Sequence, residues 1–287
     1  MNAEAVPWQC RIDTRMATKH NKSGVRPVKS TGNTSARKGF LDAWLQTERP
    51  EPRLPDLLVL TEKDGARKRV KQAIEDAVTD HIVGLEIIER IGGFKKAAAV
   101  IRNKLPTSKK IRSGDIGEVI ATEYVSQQTG FVIPVKRLRR KDDRDTAMRG
   151  DDVIGFRSEK SRHRLLKVES KSRAALAASV VKSAHQALMK HSGRPNPSSL
   201  AFISTLLREL GDDAVAKVFE ELQTTDIPDD AVEHLIFTLS GNDPVNALKG
   251  YSTRPKPDMR RHSVGVVIQD HQSFIQNIFK AIDARHG

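Results

Sequence analysis

Asp152, which closes a Gly-Asp-Asp step, and the triplet Glu169-Ser-Lys171 about one hairpin downstream are residues whose types and spacing suit phosphodiester chemistry. Side chains alternate faces along a strand, so Glu169 and Lys171 project to one side and Ser170 to the other. Leu165, Leu166 and Val168 hold that strand in a core, and its carboxyl end carries the charges into a cleft. Asp152-Val-Ile-Gly-Phe156 reads as the partner strand, with Arg157 to Arg164 as the connection. Carboxylate oxygens are hard ligands of the kind that Mg²⁺, or Mn²⁺ in its place, accepts while keeping several waters. An ion held by Asp152 and Glu169 would polarise a phosphodiester and lower the pKa of a bound water. Lys171 would orient or deprotonate that water, or neutralise charge developing on phosphorus. Charged residues make up 30% of the chain, so an isolated E-x-K triplet would signify only a solvated strand face. Here it interrupts an apolar run, with Asp152 at hairpin distance and a third acid on a helix upstream.

That helix reads from Ser113 through Val125, with Ile116, Val119, Ile120, Glu123 and Tyr124 at helical spacing, Ser113 as N-cap and Gly130 as stop. Glu118 lies beside the apolar stripe and is placed to be a further metal ligand or a water-ordering acid, or else one more surface glutamate. Gly114 and Gly117 cost helix stability, and a close approach of backbone to a strand or a phosphate would explain them.

The order G-x-x-G-E on a helix, a strand, G-x-D, then E-x-K on a strand followed by a helix resembles the PD-(D/E)xK nuclease superfamily. Glu118, Asp152, Glu169 and Lys171 fall on its active-site positions. Asp151 stands where the superfamily's name has proline, and the G-x-D spacing selects Asp152 over Asp151 as the ligand. The segments Asp80-His-Ile-Val, Arg112-Ser-Gly-Asp-Ile-Gly-Glu118, Ile133-Pro-Val-Lys136, Arg149 to Gly155, Val168-Glu-Ser-Lys171 and Val264 to Ile268 resemble the HamA family of Hachiman anti-phage systems. This likeness runs over roughly the C-terminal three quarters of the chain. The resemblance implies an α/β restriction-endonuclease-like core, a mixed central sheet flanked by helices. It also implies a DNA-degrading effector held by a helicase partner, HamB, and released when that helicase engages DNA. In this superfamily a polar residue on the helix after E-x-K helps hold DNA or water, which nominates Lys182 and Gln186.

Composition agrees with a polyanionic partner: the 287 residues carry a net charge of +13. Lys109, Lys110 and Arg112 precede the Glu118 helix, and Lys136, Arg137, Arg139 and Arg140 lie between it and Asp152, where they would give salt-sensitive, sequence-independent phosphate contacts. Aromatic content of 5% gives no support to base stacking. The single cysteine, Cys10, excludes an internal disulfide. No apolar run approaches a bilayer span and no signal-peptide core is evident, so a cytosolic protein is expected. There is neither a P-loop nor an H-E-x-x-H pair.

Residues 1–56 read as a basic, partly flexible arm and linker containing a short helix at Phe40–Leu45. Residues 57–287 read as the nuclease-like domain, with motif core 111–191. Strands are expected at Leu57–Leu60, His234–Leu239 and Ser263–Gln269. Helices are expected at Ala66–Thr79, around Leu85, and at Lys95–Lys104, Ala174–Lys190, Ser198–Leu210, Ala214–Leu222 and Phe274–Ala284. Two other functions remain open at this level: a stand-alone restriction-type endonuclease, and a DNA-binding scaffold subunit without turnover.

Overall fold

The computed structural model describes residues 39–48, 54, 56–84, 94–159, 162–252 and 259–286. In chain order the helices are α1 (Phe40–Trp44), α2 (Ala66–Ile82), α3 (Phe94–Lys104), α4 (Lys109–Gln128), α5 (Ala178–Leu188), α6 (Pro197–Glu209), α7 (Asp213–Thr224), α8 (Val245–Ser252) and α9 (His271–His286). The strands are β1 (Leu45–Glu48), β2 (Leu57–Glu62), β3 (Val153–Ser158), β4 (His163–Arg173), β5 (Val232–Ser240) and β6 (Arg260–Val267).

The strands form one mixed sheet in the order β1-β2-β6-β5-β4-β3. Its middle, β2, β6, β5 and β4, is parallel, and the outer strands β1 and β3 pair antiparallel to their neighbours. Parallel strands must be covered on both faces, and the sequence provides for this. Every residue of β5 is buried. On one face α1, α2, α4 and α9 enclose a core that includes Ile74, Ile120, Val168, Phe237 and Phe279. On the other, α6 and α7 pack on Leu165 and Val232, and α5 and α8 pack on Val59 and Ile236. The expected mixed sheet flanked by helices is therefore present.

The differences are local. The β3–β4 ladder runs from Val153↔Val168 to Ser158↔His163, so the connection is shorter than Arg157–Arg164. Residues 40–48, read with the arm and linker, join the domain: β1 pairs with β2, and Trp44 is fully buried and stacked 5.6 Å from Phe274. Four residues are too few for alternation to reveal a strand. Helix α5 begins at Ala178 rather than Ala174, because β4 runs on to Arg173. Helix α8 went unread in the sequence. The arm before residue 39 and the helix expected around Leu85 lie outside the described residues. No helix among the described residues is long and apolar enough to cross a membrane.

One buried titratable group in the central strand has a consequence for stability. His234 of β5 is fully buried and its Nε2 donates to the Gly193 carbonyl at 2.7 Å, pinning the turn between α5 and α6. Burial, the largest influence, outweighs that bond and lowers its pKa to about 4. Between this value and the ordinary one of about 6.5 the unfolded chain binds the proton more readily, so stability is lost as pH falls through that interval. The loss reaches at most about 3 kcal/mol. Thermal melts from pH 7.5 to 4.5 should fall more steeply for the wild type than for His234→Gln, and parallel curves would refute this assignment.

Candidate acidic centre at the end of the sheet

The site is built where β3 runs out and β4 continues. The ladder between them ends at Val153↔Val168, and one more step of the register brings Asp152 opposite Glu169. Beyond that point β4 has no β3 neighbour, and a backbone N–H left without a partner is costly. Asp152 supplies one: its Oδ2 accepts from Ser170 N at 2.9 Å. Glu169 and Lys171, two residues apart on one face, form an ion pair through Oε1 and Nζ. Gly150 of the G-x-D step has φ +98°, and a Cβ there would lie 2.6 Å from Ser199 Oγ, so the entry to β3 requires glycine.

Glu118 arrives from the opposite face of the sheet on α4. This helix starts at Lys109, not Ser113. Asp145 accepts from Thr107 N and Ser108 N, both at 2.7 Å, and those bonds hold its carboxyl down at a pKa of about 2. Ser113, one turn in, instead lies against β4, its Oγ 3.0 Å from Ser172 Oγ. Gly117 allows that approach: a Cβ there would meet Ser172 Cβ at 2.9 Å and Ser170 Oγ at 3.1 Å. Gly114 has open space around the same position, so the explanation offered for both glycines holds for Gly117 alone.

With α4 pressed against the sheet, Glu118 is buried rather than on the surface. Its carboxylate is gripped by Arg137, Nε to Oε1 at 2.7 Å and Nη2 to Oε2 at 2.9 Å. The same Nη2 reaches Asp152 Oδ1 at 3.3 Å. A continuous chain of contacts thus runs Glu118, Arg137, Asp152, Ser170 N, Glu169, Lys171. Burial raises the Glu118 pKa to about 7 against the opposing pull of Arg137, with Asp152 adding repulsion. Glu169 is pushed up by burial and then by the Asp152 charge, more than Lys171 pulls it down. Burial, the largest influence, pulls the Arg137 pKa down, but the attractions of Glu118, Asp152 and Asp151 together raise it above the ordinary arginine value. Crowded, raised carboxylates of this kind are commoner at functional sites than elsewhere, although structural ion-pair networks produce them too.

A cavity of about 370 Å³ opens beside this chain at the edge strand, with Glu118, Arg137 and Asp152 on one wall and Ser198, Ser199 and Phe202 of α6 on another. Glu169 and Lys171 are not part of its lining. Asp151 and Asp152 separate cleanly. Asp151 is anchored, with Oδ2 accepting from Asn196 N at 2.6 Å and Oδ1 3.4 Å from Lys167 Nζ, while Asp152 faces the acidic centre.

The DNA-contact candidates have varied surroundings. Lys109 and Lys110 are exposed on the first turn of α4, and Lys182 and Gln186 are exposed on α5. Arg112 donates to Pro106 O at 2.7 Å and lies over the Phe279 ring. Lys136 and Arg139 both pair with Asp80, and Arg140 pairs with Glu209 at the surface. The basic run between Glu118 and Asp152 is thus engaged largely with the carboxylates of Asp80, Glu118 and Asp115.

Two residues hold positions that the sequence does not announce. The sequence nominates Arg137 as a phosphate contact, and the structure places it between Glu118 and Asp152. Lys167, 2% exposed, donates to the carbonyls of Leu188, Lys190 and Arg194 at 2.8–3.1 Å and braces the turn after α5. The alternation that puts Glu169 and Lys171 on one face puts Lys167 there too, and that was the available signal.

Whether a metal suits this centre turns on its donors. Asp152 and Glu169 offer hard oxygens on adjacent strands, and Mg²⁺ commonly takes one or two carboxylates and fills its shell with water and phosphate. A cation between them would relieve the repulsion that raises Glu169. The pair fits the ion. Among the described residues no group of three or more His, Cys, Asp or Glu stands ready to hold one, and both Glu118 oxygens are bonded to Arg137.

Fold and site together define an α/β protein with a nuclease-like core and an acidic centre at the end of its antiparallel edge hairpin. The HamA family profile matches residues 38–282, and the chain belongs to the HamA family. It is 31% identical over 176 residues to the Hachiman protein HamA of Bacillus cereus, an alignment covering 61% of this chain and 62% of that protein. The match thus spans about three fifths of the relative's length.

The two glycines of α4 test the geometry. Gly117→Ala should destabilise by about 1–3 kcal/mol through overpacking against β4, despite a helix-propensity gain of up to about 1 kcal/mol. Gly114→Ala, with nothing within 4 Å of the new methyl, should stabilise by up to about 1 kcal/mol. Urea denaturation midpoints that move together would contradict this packing.

Proposed function

We propose that this protein is a metal-dependent deoxyribonuclease of the PD-(D/E)xK type, the effector of a Hachiman-type anti-phage system, controlled by a HamB-like helicase and acting in the cytoplasm. The observation that carries the reading is the chain of contacts that joins Glu118, in the middle of α4, to Asp152, Glu169 and Lys171 where β3 begins and β4 runs past it. Membership of the HamA family supports the defence role.

In this reading Asp152 and Glu169 hold Mg²⁺, or Mn²⁺, and Glu118 orders the carboxylate cluster from α4. The ion supplies Lewis-acid polarisation of the phosphodiester and a more acidic water. Lys171, paired with Glu169 at rest, turns its ammonium toward the phosphoryl group, where it orients the attacking water and offsets negative charge as the bond to the leaving oxygen breaks. The raised pKa of Glu169 works in the same direction, since a carboxylate destabilised by burial and by the Asp152 charge gains from a nearby cation. Lys109, Lys110, Lys182 and Gln186 are exposed and serve as backbone contacts. Such contacts confer affinity without base readout, and the net charge of +13 favours a polyanion.

Plasmid cleavage in Mg²⁺, with and without a HamB-like helicase and ATP, tests the proposal. Glu169→Ala and Lys171→Ala should each reduce cleavage by about 100-fold or more, and EDTA should abolish it. Cleavage that persists in Glu169→Ala, or that ignores EDTA, would overturn the reading. Discrete, sequence-defined fragments without any helicase would favour a restriction-type enzyme.

A further inference from the structure

Arg137 is the one member of the acidic centre for which the proposed chemistry has no task. It stands on a 3-10 turn, Arg137–Arg140, held in place by buried Leu138 and by Arg139, which donates to Asp80 O at 2.8 Å and Oδ1 at 2.6 Å. Its own side chain is 12% exposed. Its fork-to-fork grip on Glu118 is the strong, bidentate kind, and Nη1 adds a bond to Arg149 O at 3.2 Å. The bond to Asp152 is different: single, longer at 3.3 Å, and made by a nitrogen already committed to Glu118. Asp152 in turn divides its oxygens, one on Ser170 N and one on Arg137. The cavity of about 370 Å³ borders both side chains, so the guanidinium has room to draw back from Asp152 while keeping Glu118.

We propose that Arg137 is a built-in counter-cation that occupies Asp152 in the metal-free protein and competes with a divalent ion for it, so that Arg137 sets how tightly the centre takes its metal. A positive charge this close to a ligand oxygen repels an incoming dication, and the repulsion is strong where water is scarce. Without Arg137, Glu118 and Asp152 would repel one another whenever no metal is bound, since Lys171 is paired with Glu169. With it that repulsion is offset at rest, and Asp152 is yielded only to an ion that repays the broken bond. The inference rests on Asp152 and Glu169 as the metal-holding pair, and its test separates the two claims.

The test is Mn²⁺ titration of the full chain, with free ion counted by electron paramagnetic resonance, for wild type, Arg137→Gln, Arg137→Lys and Asp152→Asn. Arg137→Gln should bind Mn²⁺ about tenfold more tightly than wild type, Arg137→Lys should stay near wild type, and Asp152→Asn should bind more weakly. Equal or weaker binding by Arg137→Gln, with Asp152→Asn impaired, would overturn the counter-cation and leave the metal centre standing. Absence of Mn²⁺ binding in every form would overturn both. A measurement on the wild type guards against a variant that does not fold. The Arg137 Nε–H resonance should shift as Mg²⁺ is added, and a bound ion that leaves it unmoved overturns the proposal.

Discussion

Carboxylates can be buried at the end of a sheet only if cations are brought to them, and much of the arrangement around this centre follows from that constraint. The segment between α4 and β3 carries the cations. Lys136 and Arg139 take Asp80 of α2, Arg137 takes Glu118 of α4 and reaches Asp152, and Lys141 takes Asp115 of α4 at 2.9 Å. One strap thereby ties α2, α4 and the start of β3 together through ion pairs that are mostly sheltered. Removing one partner of such a pair leaves a buried charge alone, typically a loss of about 3–5 kcal/mol, so the strap holds position strongly. Burial nevertheless outweighs the pull of Arg137, and the Glu118 pKa is raised to about 7 although both its oxygens are bonded.

The basic composition has two uses that the sequence does not distinguish. A lysine or arginine beside a cleft in sequence reads equally as a phosphate contact or as a counter-ion, and only the third dimension separates them. Here the run from Lys136 to Lys141 supplies counter-ions, with Arg140 alone reaching a surface partner, whereas Lys109, Lys110 and Lys182 are exposed. The distinction bears on how salt acts, since exposed cations are screened and buried pairs much less so.

Elements with a clear period were legible. Helix α2, strands β5 and β6 and the hairpin of β3 with β4 follow from alternation or helical spacing, and the hairpin carries Asp152, Glu169 and Lys171 into one neighbourhood. What escaped depends on contacts distant in sequence. Helix α4 starts just after Ser108, whose N–H is held by Asp145, 37 residues further on, and so lies a turn ahead of the Ser113 that local capping rules select. Strand β1 exists because β2 offers an edge and Trp44 finds Phe274, more than two hundred residues away. The helical pattern leaves Glu118 open between a site acid and a surface glutamate, because its burial comes from β4 and the strap, neither visible in that pattern.

The centre also shows why it forms at this end of the sheet and not the other. At the β3–β4 turn the ladder is complete from Ser158↔His163 onward. The neighbouring charges there, Arg164, Glu233 and His262, pair among themselves, with Arg164 3.0 Å from Glu233. At the opposite end β4 outruns β3 and exposes backbone beyond Val168, and the Asp152 carboxylate caps it at Ser170 N. That cap fixes Asp152 opposite Glu169 by main-chain geometry, independent of any ligand. Gly117 then lets α4 close on the same two residues of β4, Ser170 and Ser172, and Glu118 is the next residue along. The helix acid and the strand acids are therefore located by one stretch of backbone, Ser170 to Ser172. A displacement of α4 at Gly117 would move Glu118, and with it the Arg137 bridge to Asp152, so the packing of the fold and the electrostatics of the site are set at the same contact.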